Sequence, residues 1–321
     1  MSRIFRSDEV APNDRIVVRR KANDIIGHVL SIDEETLVVR PQKVGGFPSE
    51  VPALSIPRAD IIIMKKLSPR TVRNSDIRAI ENATAKAFPG IEHTWCDQWL
   101  IRSGDGITER SNSAAPLGNT AMFTPIPIAA IHAFYRRHNL PTRILIPERI
   151  GAMAEKLVAQ PGWALGPEII VMTRNLDDLP ATTSDWEFRI DDQPDQDWLS
   201  LYNFRGEPLP EHALDLLREE IDGENGGLGR LLTAEGETVA ITRGTVTDNY
   251  LGYSAVEVAQ AYRRRGLGTE LGRHMLHWGA REGATRAYLQ VIATNAAGIG
   301  LYEKLGFVEH HRHRYAEATN L

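Results

Sequence analysis

The sequence carries one cysteine, Cys96, in 321 residues. A lone thiol makes no intrachain disulfide and no cysteine-built zinc site. No apolar run approaches the ~18 residues of a membrane-spanning helix, so no membrane partner is expected. The first fifteen residues turn polar within ten and lack the apolar stretch of a secretory leader, which makes a cytoplasmic protein the expectation. Neither sign of charge dominates: 37 Lys/Arg stand against 42 Asp/Glu, a net −5, and such a balance does not point to a nucleic-acid partner. Hydrophobic residues at 42% and charged residues at 25% exclude disordered, collagenous and coiled-coil chains.

Charge divides the chain unevenly. Residues 1–70 hold 12 Lys/Arg and 9 Asp/Glu, whereas the remainder is net −8. In the first part the runs RIVVRR, IIGHVLSI, TLVVR and VPALSIPRADIIIM are rich in β-branched residues. They are broken by Asn23-Asp24, Asp33-Glu34-Glu35 and Gly45-Gly46. Short strands so spaced predict a small antiparallel β-barrel over 1–68, with Leu67-Ser68-Pro69-Arg70 as a linker. From 71 onward the pattern is α/β, with helices and strands alternating. Helices are expected over 76–87, 126–137 and 151–159, and strands over 98–102, 110–117, 143–146 and 168–174. A break at Asp177-Asp178-Leu179-Pro180 divides 71–180 from 185–321. Beyond it come a strand over 186–190, helices over 195–204 and 211–221, and a Gly-rich turn over 223–229. Strands at 229–233, 238–245 and 252–258 follow, then a helix over 268–282, a strand over 284–292 and a helix over 296–305.

The chemistry concentrates in Val256-Glu-Val-Ala-Gln-Ala-Tyr-Arg263-Arg-Arg-Gly266-Leu-Gly268-Thr269. An extended run ends in a basic turn, and two glycines open a helix. Glycines there let an anion approach backbone N–H groups, and Arg263, Arg264 and Arg265 add charge of the matching sign. A P-loop would need Gly-Lys-Ser/Thr, which is missing. A dinucleotide fingerprint would need a third glycine where Leu271 stands. Arg263-x-x-Gly266-x-Gly268 matches instead the Arg/Gln-x-x-Gly-x-Gly/Ala pyrophosphate loop of the GCN5-related N-acetyltransferases (GNAT). The segment Tyr288 to Phe307, containing Asn295 and Tyr302, resembles that family's second signature block.

The resemblance implies a GNAT acetyltransferase domain over 185–321, preceded by a degenerate GNAT-like half over 71–180. With an SH3/Tudor-like barrel in front, the whole chain resembles an actinobacterial group described as N-acetylglutamate synthases or histone-type acetyltransferases. The cosubstrate so implied is acetyl-CoA, with no metal. The backbone of Val256, Glu257 and Val258 would pair with pantetheine, and the pyrophosphate would sit on Arg263, Arg264, Arg265, Gly266, Leu267, Gly268 and Thr269. Asn295 would touch pantetheine or simply cap its helix. Tyr302 would protonate the leaving thiolate. Some relatives carry a basic Glu at the position of Gln290, which cannot serve, so Glu257 is the nearest candidate base; it also reads as an outward-facing strand residue.

Trp99, Arg102, Arg110, Asn112 and Ser113 read either as an interface between lobes or as an acceptor pocket in which an arginine grips a carboxylate. His310, His311 and His313 read as a solvated final hairpin or site rim rather than a metal site, and Cys96 as inert. With only Phe5 and Phe47 as aromatics, the first module reads as structural or dimerising, which would make the protein a homodimer. The acceptor is expected to be a primary amine, with glutamate first among small amino acids. A protein lysine or N-terminus is the alternative, and a non-catalytic acyl-CoA sensor a further one.

Overall fold

The computed structural model describes residues 4–183, 186–204, 207–208, 210, 212–213 and 225–319. The helix expected over 211–221 lies outside the described residues except at 212–213.

The first module has strands β1 (Arg15–Arg20), β2 (Asp24–Ile32), β3 (Thr36–Pro41), β4 (Leu54–Pro57) and β5 (Ile61–Lys66). Ile16, Val18, Ile25, Val29, Leu37, Val39 and Ile56 bury one face, as period-two alternation dictates. Pairing is antiparallel in the order β4-β3-β2-β1-β5, and no pairing among the described residues joins β4 to β5. The expected SH3/Tudor-like barrel is therefore an open five-stranded sheet. Its closing edge is short: β4 has four residues, and a 3₁₀ turn at Arg58–Asp60 redirects the chain at once. The module is tied to the body by Phe5, which is buried among body residues, and by Arg6, which pairs with Glu148 at 3.0 Å and with Glu309.

The body begins with helix α1 (Asn74–Ala87) and the hairpin β6 (Glu92–Cys96) and β7 (Trp99–Ser103). Helix α2 (Ile128–Arg137), β8 (Arg143–Pro147), α3 (Ala152–Val158), β9 (Trp163–Leu165) and β10 (Ile169–Asn175) follow. Then come β11 (Glu187–Asp191), α4 (Gln196–Leu201), and the two-residue pair β12 (Asn203–Phe204) and β13 (Glu207–Pro208). The chain continues through β14 (Asn225–Leu232), β15 (Thr238–Thr247), β16 (Tyr250–Val258), α5 (Leu267–Arg281), β17 (Arg286–Ile292), α6 (Ala296–Lys304) and β18 (Val308–Ala318). One nine-stranded sheet runs β11-β14-β15-β16-β17-β10-β18-β8, with β9 also on β18. All neighbours are antiparallel except β16 and β17. The architecture is mixed α/β. Strand β10, from before the sequence break near 180, lies between β17 and β18, so a single sheet spans that break.

The two faces of the sheet are covered differently. Met275, Leu276 and Trp278 of α5 pack on Leu251, Tyr253, Leu289 and Val291. On the opposite face Ile80 and Ala83 of α1 pack on Val171, Tyr250 and Tyr288. Adjacent residues of one strand thus serve opposite sides, as the pleat requires.

Two expectations fail for identifiable reasons. The strand expected over 110–117 is a loop whose β-type pairings, among the described residues, are the single bridges Leu100 to Ala115 and Ala114 to Ile144. The Gly-rich turn expected over 223–229 lies largely within β14. Those glycines serve close approach: a Cβ on Gly229 would sit 2.6 Å from the Met275 sulfur, and one on Gly227 2.9 Å from the Trp278 ring. Across the pair, a Cβ on Gly244 would lie 2.6 Å from that same ring. Glycines thus let α5 lie directly on the sheet. Gly244→Val should cost about 1–3 kcal/mol through overpacking, read as a lower denaturant midpoint at unchanged slope. An unchanged midpoint would show that the helix is not held this close.

Candidate active site

Strands β16 and β17 are parallel neighbours for only three residue pairs, Tyr250 to Arg286, Leu251 to Ala287 and Gly252 to Tyr288. Past Gly252 they part. The cause lies on the other edge of β16, where Ile241 faces Glu257 and Arg243 faces Ser254: two steps on β15 oppose three on β16. The extra residue makes a bulge, and Ala255 adopts a left-handed φ of 53°. The Thr242 hydroxyl donates to the Ser254 carbonyl at 2.7 Å and pins the bend. The peptide edge of β16 from Tyr253 onward is thereby left without a strand partner on the β17 side among the described residues.

That edge opens onto a cleft of about 780 Å³, within the ~300–1,000 Å³ range of small-molecule sites. Of the residues the sequence singled out, it brings together Val256, Glu257, Val258, Arg263, Arg264, Gly266, Leu267, Gly268, Thr269, Asn295 and Tyr302. Arg265 alone turns aside, its guanidinium lying 5.1 Å over the Tyr262 ring. Gly266 caps α5 with φ 84°, and Arg264 before it has φ 63°. The first intrahelical bonds run from the amides of Thr269 and Glu270 to the Gly266 carbonyl, so the amides of Leu267 and Gly268 precede the ladder. A Cβ on Gly268 would stand 2.7 Å from the end of the Leu301 side chain and would push it aside where α5 and α6 converge behind the loop. Orphan amides, a positive helix end and Arg263 and Arg264 suit a pyrophosphate. The unpaired β16 edge suits an amide-bearing arm. The residues present thus fit acetyl-CoA.

Inside the cleft Tyr302 projects from α6. Burial, reinforced by the nearby Glu257 carboxylate, pushes its phenol up to about 12. Burial also raises the Glu257 carboxyl above its usual range, opposed by Arg263 at 3.8 Å. The Asn295 side chain accepts the Gly298 amide at 2.9 Å, so it caps α6 while lining the cleft. Sequence reasoning missed Tyr253. Its ring lies 6.0 Å from that of Tyr302, its hydroxyl is buried without a hydrogen-bond partner, and burial holds its phenol well above the ordinary value. Only its place at the parting of the strands marks it.

On the opposite face, towards α1, a narrow cavity of about 20 Å³ lies at the same parting, bordered by Thr84, Phe88, Arg110, Ser254, Tyr288 and Gln290. Arg110 stacks 4.3 Å over the Phe88 ring, and its Nε is buried without a hydrogen-bond partner. Arg243 stacks on the same ring at 4.3 Å. Phe88 and Arg243 were also missed; a helix-ending aromatic and a strand arginine carry no motif. The other two expected acceptor residues serve the fold. Arg102 is 1% exposed and donates to the Phe88 carbonyl and the Ser113 hydroxyl. Asn112 accepts from the amides of Gly104 and Gly106 and donates to Asp105 and to the Thr108 carbonyl. Trp99 and Ser113 are fully buried.

The expected solvated hairpin at the end of the chain is one strand, β18, and two of its histidines are interior. His311 and His313 share a face and meet Glu81 of α1 at 2.9 and 2.8 Å, all three side chains buried. Among the described residues no helix is long and apolar enough to cross a membrane.

Comparison with known proteins agrees with this geometry. The family described as probable histone acetyltransferase Rv0428c, C-terminal, matches residues 74–316. The "Probable histone acetyltransferase Rv0428c" of Mycobacterium tuberculosis is 33% identical over 304 residues, covering 93% of this chain and 90% of that one. The [Ribosomal protein bS18]-alanine N-acetyltransferase of Escherichia coli K12 is 36% identical over 78 residues, 24% of this chain and 53% of its own. A solved GCN5-related N-acetyltransferase from Kribbella flavida shares the fold with a TM-score of 0.57 at 14% identity, covering 76% of this chain and 96% of that one. An acetyltransferase fold, a matching family model and a relative aligned over nearly the whole length converge: the chain belongs to the Rv0428c family of GNAT N-acetyltransferases.

Proposed function

We propose that this acetyltransferase modifies the primary amine of a small carboxylate-bearing molecule, an amino acid with glutamate first. The observation that carries the reading is the two-sided parting of β16 and β17. On one face lies the cleft lined by Arg263 and Arg264, and on the other a cavity of about 20 Å³ bordered by Arg110, which must widen to admit an acceptor. Acetyl-CoA would supply the activated acetyl carbonyl carbon. The amides of Leu267 and Gly268 with Arg263 and Arg264 bind its diphosphate. The free edge at Val256 to Val258 aligns its pantetheine arm, and Asn295 lines the same cleft. A backbone N–H near Val258 serves as the donor to the acetyl oxygen.

Proton handling falls to Glu257 and Tyr302. Glu257, with an affinity for protons above that of an ordinary carboxylate, draws a proton from the incoming ammonium through water. Tyr302 holds its own proton at Oη for the departing sulfur. A phenol near 12 gives that proton up reluctantly to a thiolate whose conjugate acid sits at ~8.5. The ionised Glu257 is one cause of that reluctance. When Glu257 becomes neutral, the repulsion that disfavours the phenolate is removed, so the base prepares the acid. Arg110 holds the acceptor carboxylate, where Lys could not offer the same planar fork.

A protein amine is the second reading. It is favoured by relatives named for histone and for ribosomal-protein alanine substrates. In that case the first module would serve protein recognition or dimerisation.

Thiol release from acetyl-CoA with L-glutamate and with a lysine-containing basic peptide in parallel tests the choice. Glutamate-dependent release is expected, whereas release with peptide alone would transfer the assignment to proteins. Silence with both would leave an acyl-CoA sensor. Tyr302→Phe should lower kcat by ~10²–10⁴-fold. Because the phenol ionises so high, the wild type should show no alkaline fall in kcat/KM below about pH 10. Wild-type turnover in the Phe variant would remove the acid role. Arg110→Ala should raise the acceptor KM by about 10-fold or more with acetyl-CoA affinity unchanged; an unaltered KM would mean that the arginine only braces Phe88.

A further inference from the structure

Glu81, His311 and His313 form a cluster on the α1 face of the sheet, outside the acetyl-CoA cleft. Their three donor atoms, the Glu81 carboxylate oxygen, His311 Nε2 and His313 Nδ1, lie within 4.8 Å of one another. Alternation along β18 sends both imidazoles to one side, and the second turn of α1 brings the carboxylate to meet them. We infer that this cluster is a binding site for one divalent transition-metal ion of the zinc class, held by two imidazole nitrogens and one carboxylate.

Three features go beyond what a hydrogen-bonded histidine pair requires. First, a buried carboxylate normally has a cation beside it, because removing its charge from water costs several kcal/mol. Glu81 is 1% exposed, and its hydrogen-bond partners among the described residues are these two imidazoles alone. Second, both imidazoles converge on Oε1, while Glu81 Oε2 and His313 Nε2 are buried with no partner. An ion at the point of convergence gives Oε2 a role as a second carboxylate contact. Third, His310 Nδ1 lies 2.8 Å from His311 Nδ1. With the Nε2 lone pair of His311 directed at an ion, its Nδ1–H donates to His310, an orienting contact that ligating histidines regularly have.

His310 is placed for that contact by the strand itself. Val171 faces His311 and Met172 faces Glu309, so His310 is an extra residue, bulged out of register. Access is provided by a cavity of about 250 Å³ between the first module and the body, lined by His310 and His311 together with Glu148 and Thr71. Two nitrogens and a carboxylate oxygen suit zinc, whose bonds to such donors are ~2.0–2.2 Å. The present 2.8 and 2.9 Å separations are those of hydrogen bonds, so the donors part by a few tenths of an ångström as two N–H protons give way to the ion. The result would fasten α1, which bears Thr84 and Phe88 of the narrow cavity, to the final strand.

The test is zinc titration of the chelator-treated full chain against a chromophoric indicator, with the metal content of the purified protein measured in parallel. One equivalent bound at sub-micromolar Kd is expected. Glu81→Gln and His313→Ala should each lose about 100-fold in affinity, while His93→Ala, at an exposed site on β6, should change nothing. Where those core variants fold poorly, Co²⁺ added to the wild type is decisive, since a low-coordinate nitrogen–oxygen site gives intense visible bands and a hexa-aquo-like ion does not. No stoichiometric zinc and no cobalt bands would overturn the proposal and leave a carboxylate neutralised by an imidazolium. Equal binding by the Glu81 variant would do the same.

Discussion

Between Ser254 and Glu257, three residue steps of one strand oppose two of its neighbour, and the cleft of the proposed active site opens beside that mismatch. A sheet is normally a continuous wall: each strand's backbone groups are consumed by the next. The bulge turns β16 away from β17 after Gly252, and the wall acquires a slot. Backbone groups freed by the slot become recognition elements. The slot lies between the face of the sheet under α5 and the face under α1. The left-handed φ of Ala255 is the local strain cost.

The slot also organises the electrostatics. Cationic and orphan N–H groups gather at the start of α5, whereas the ionisable pair Glu257 and Tyr302 sits deeper, where burial raises both their proton affinities. Arg263 is the more exposed of the ion pair and Glu257 the more buried, with side-chain exposures of 60% and 33%. Arg263 bridges the two zones, since it lines the cleft and offsets the Glu257 charge.

The loop proposed to hold the diphosphate stands out in the sequence because its residues are local. Arg263, Gly266 and Gly268 are close neighbours in the chain and exert their effect there, and Asn295 and Tyr302 occupy one short helix start and face. Residues that act through distant contacts were legible only in part: Arg110 stood out, but its partners Phe88 and Arg243 did not. Phe88, Arg110 and Arg243 meet only because a loop, a helix end and a strand are folded together. Arg102 and Asn112 carry the same polar groups as a binding site, yet spend them on loop carbonyls and amides. The glycines of β14 suggested a turn because composition cannot separate a need for positive φ from a need for no side chain. The first module showed the strands of a barrel, but closure depends on whether the outer edges meet, which no single strand records.

The position of β10 has a consequence for how the chain is made. It hydrogen-bonds to β17 on one edge and to β18 on the other, and both follow it by more than a hundred residues. During synthesis β10 emerges with two unpaired strand edges and no partners. It must wait for β17 and then β18 before its edges are covered. Such long-range pairings slow folding and expose unfinished strands to wrong partners. A chain stopped before Val308 would have the whole loop from Arg263 to Gly268, yet no strand to cover the second edge of β10.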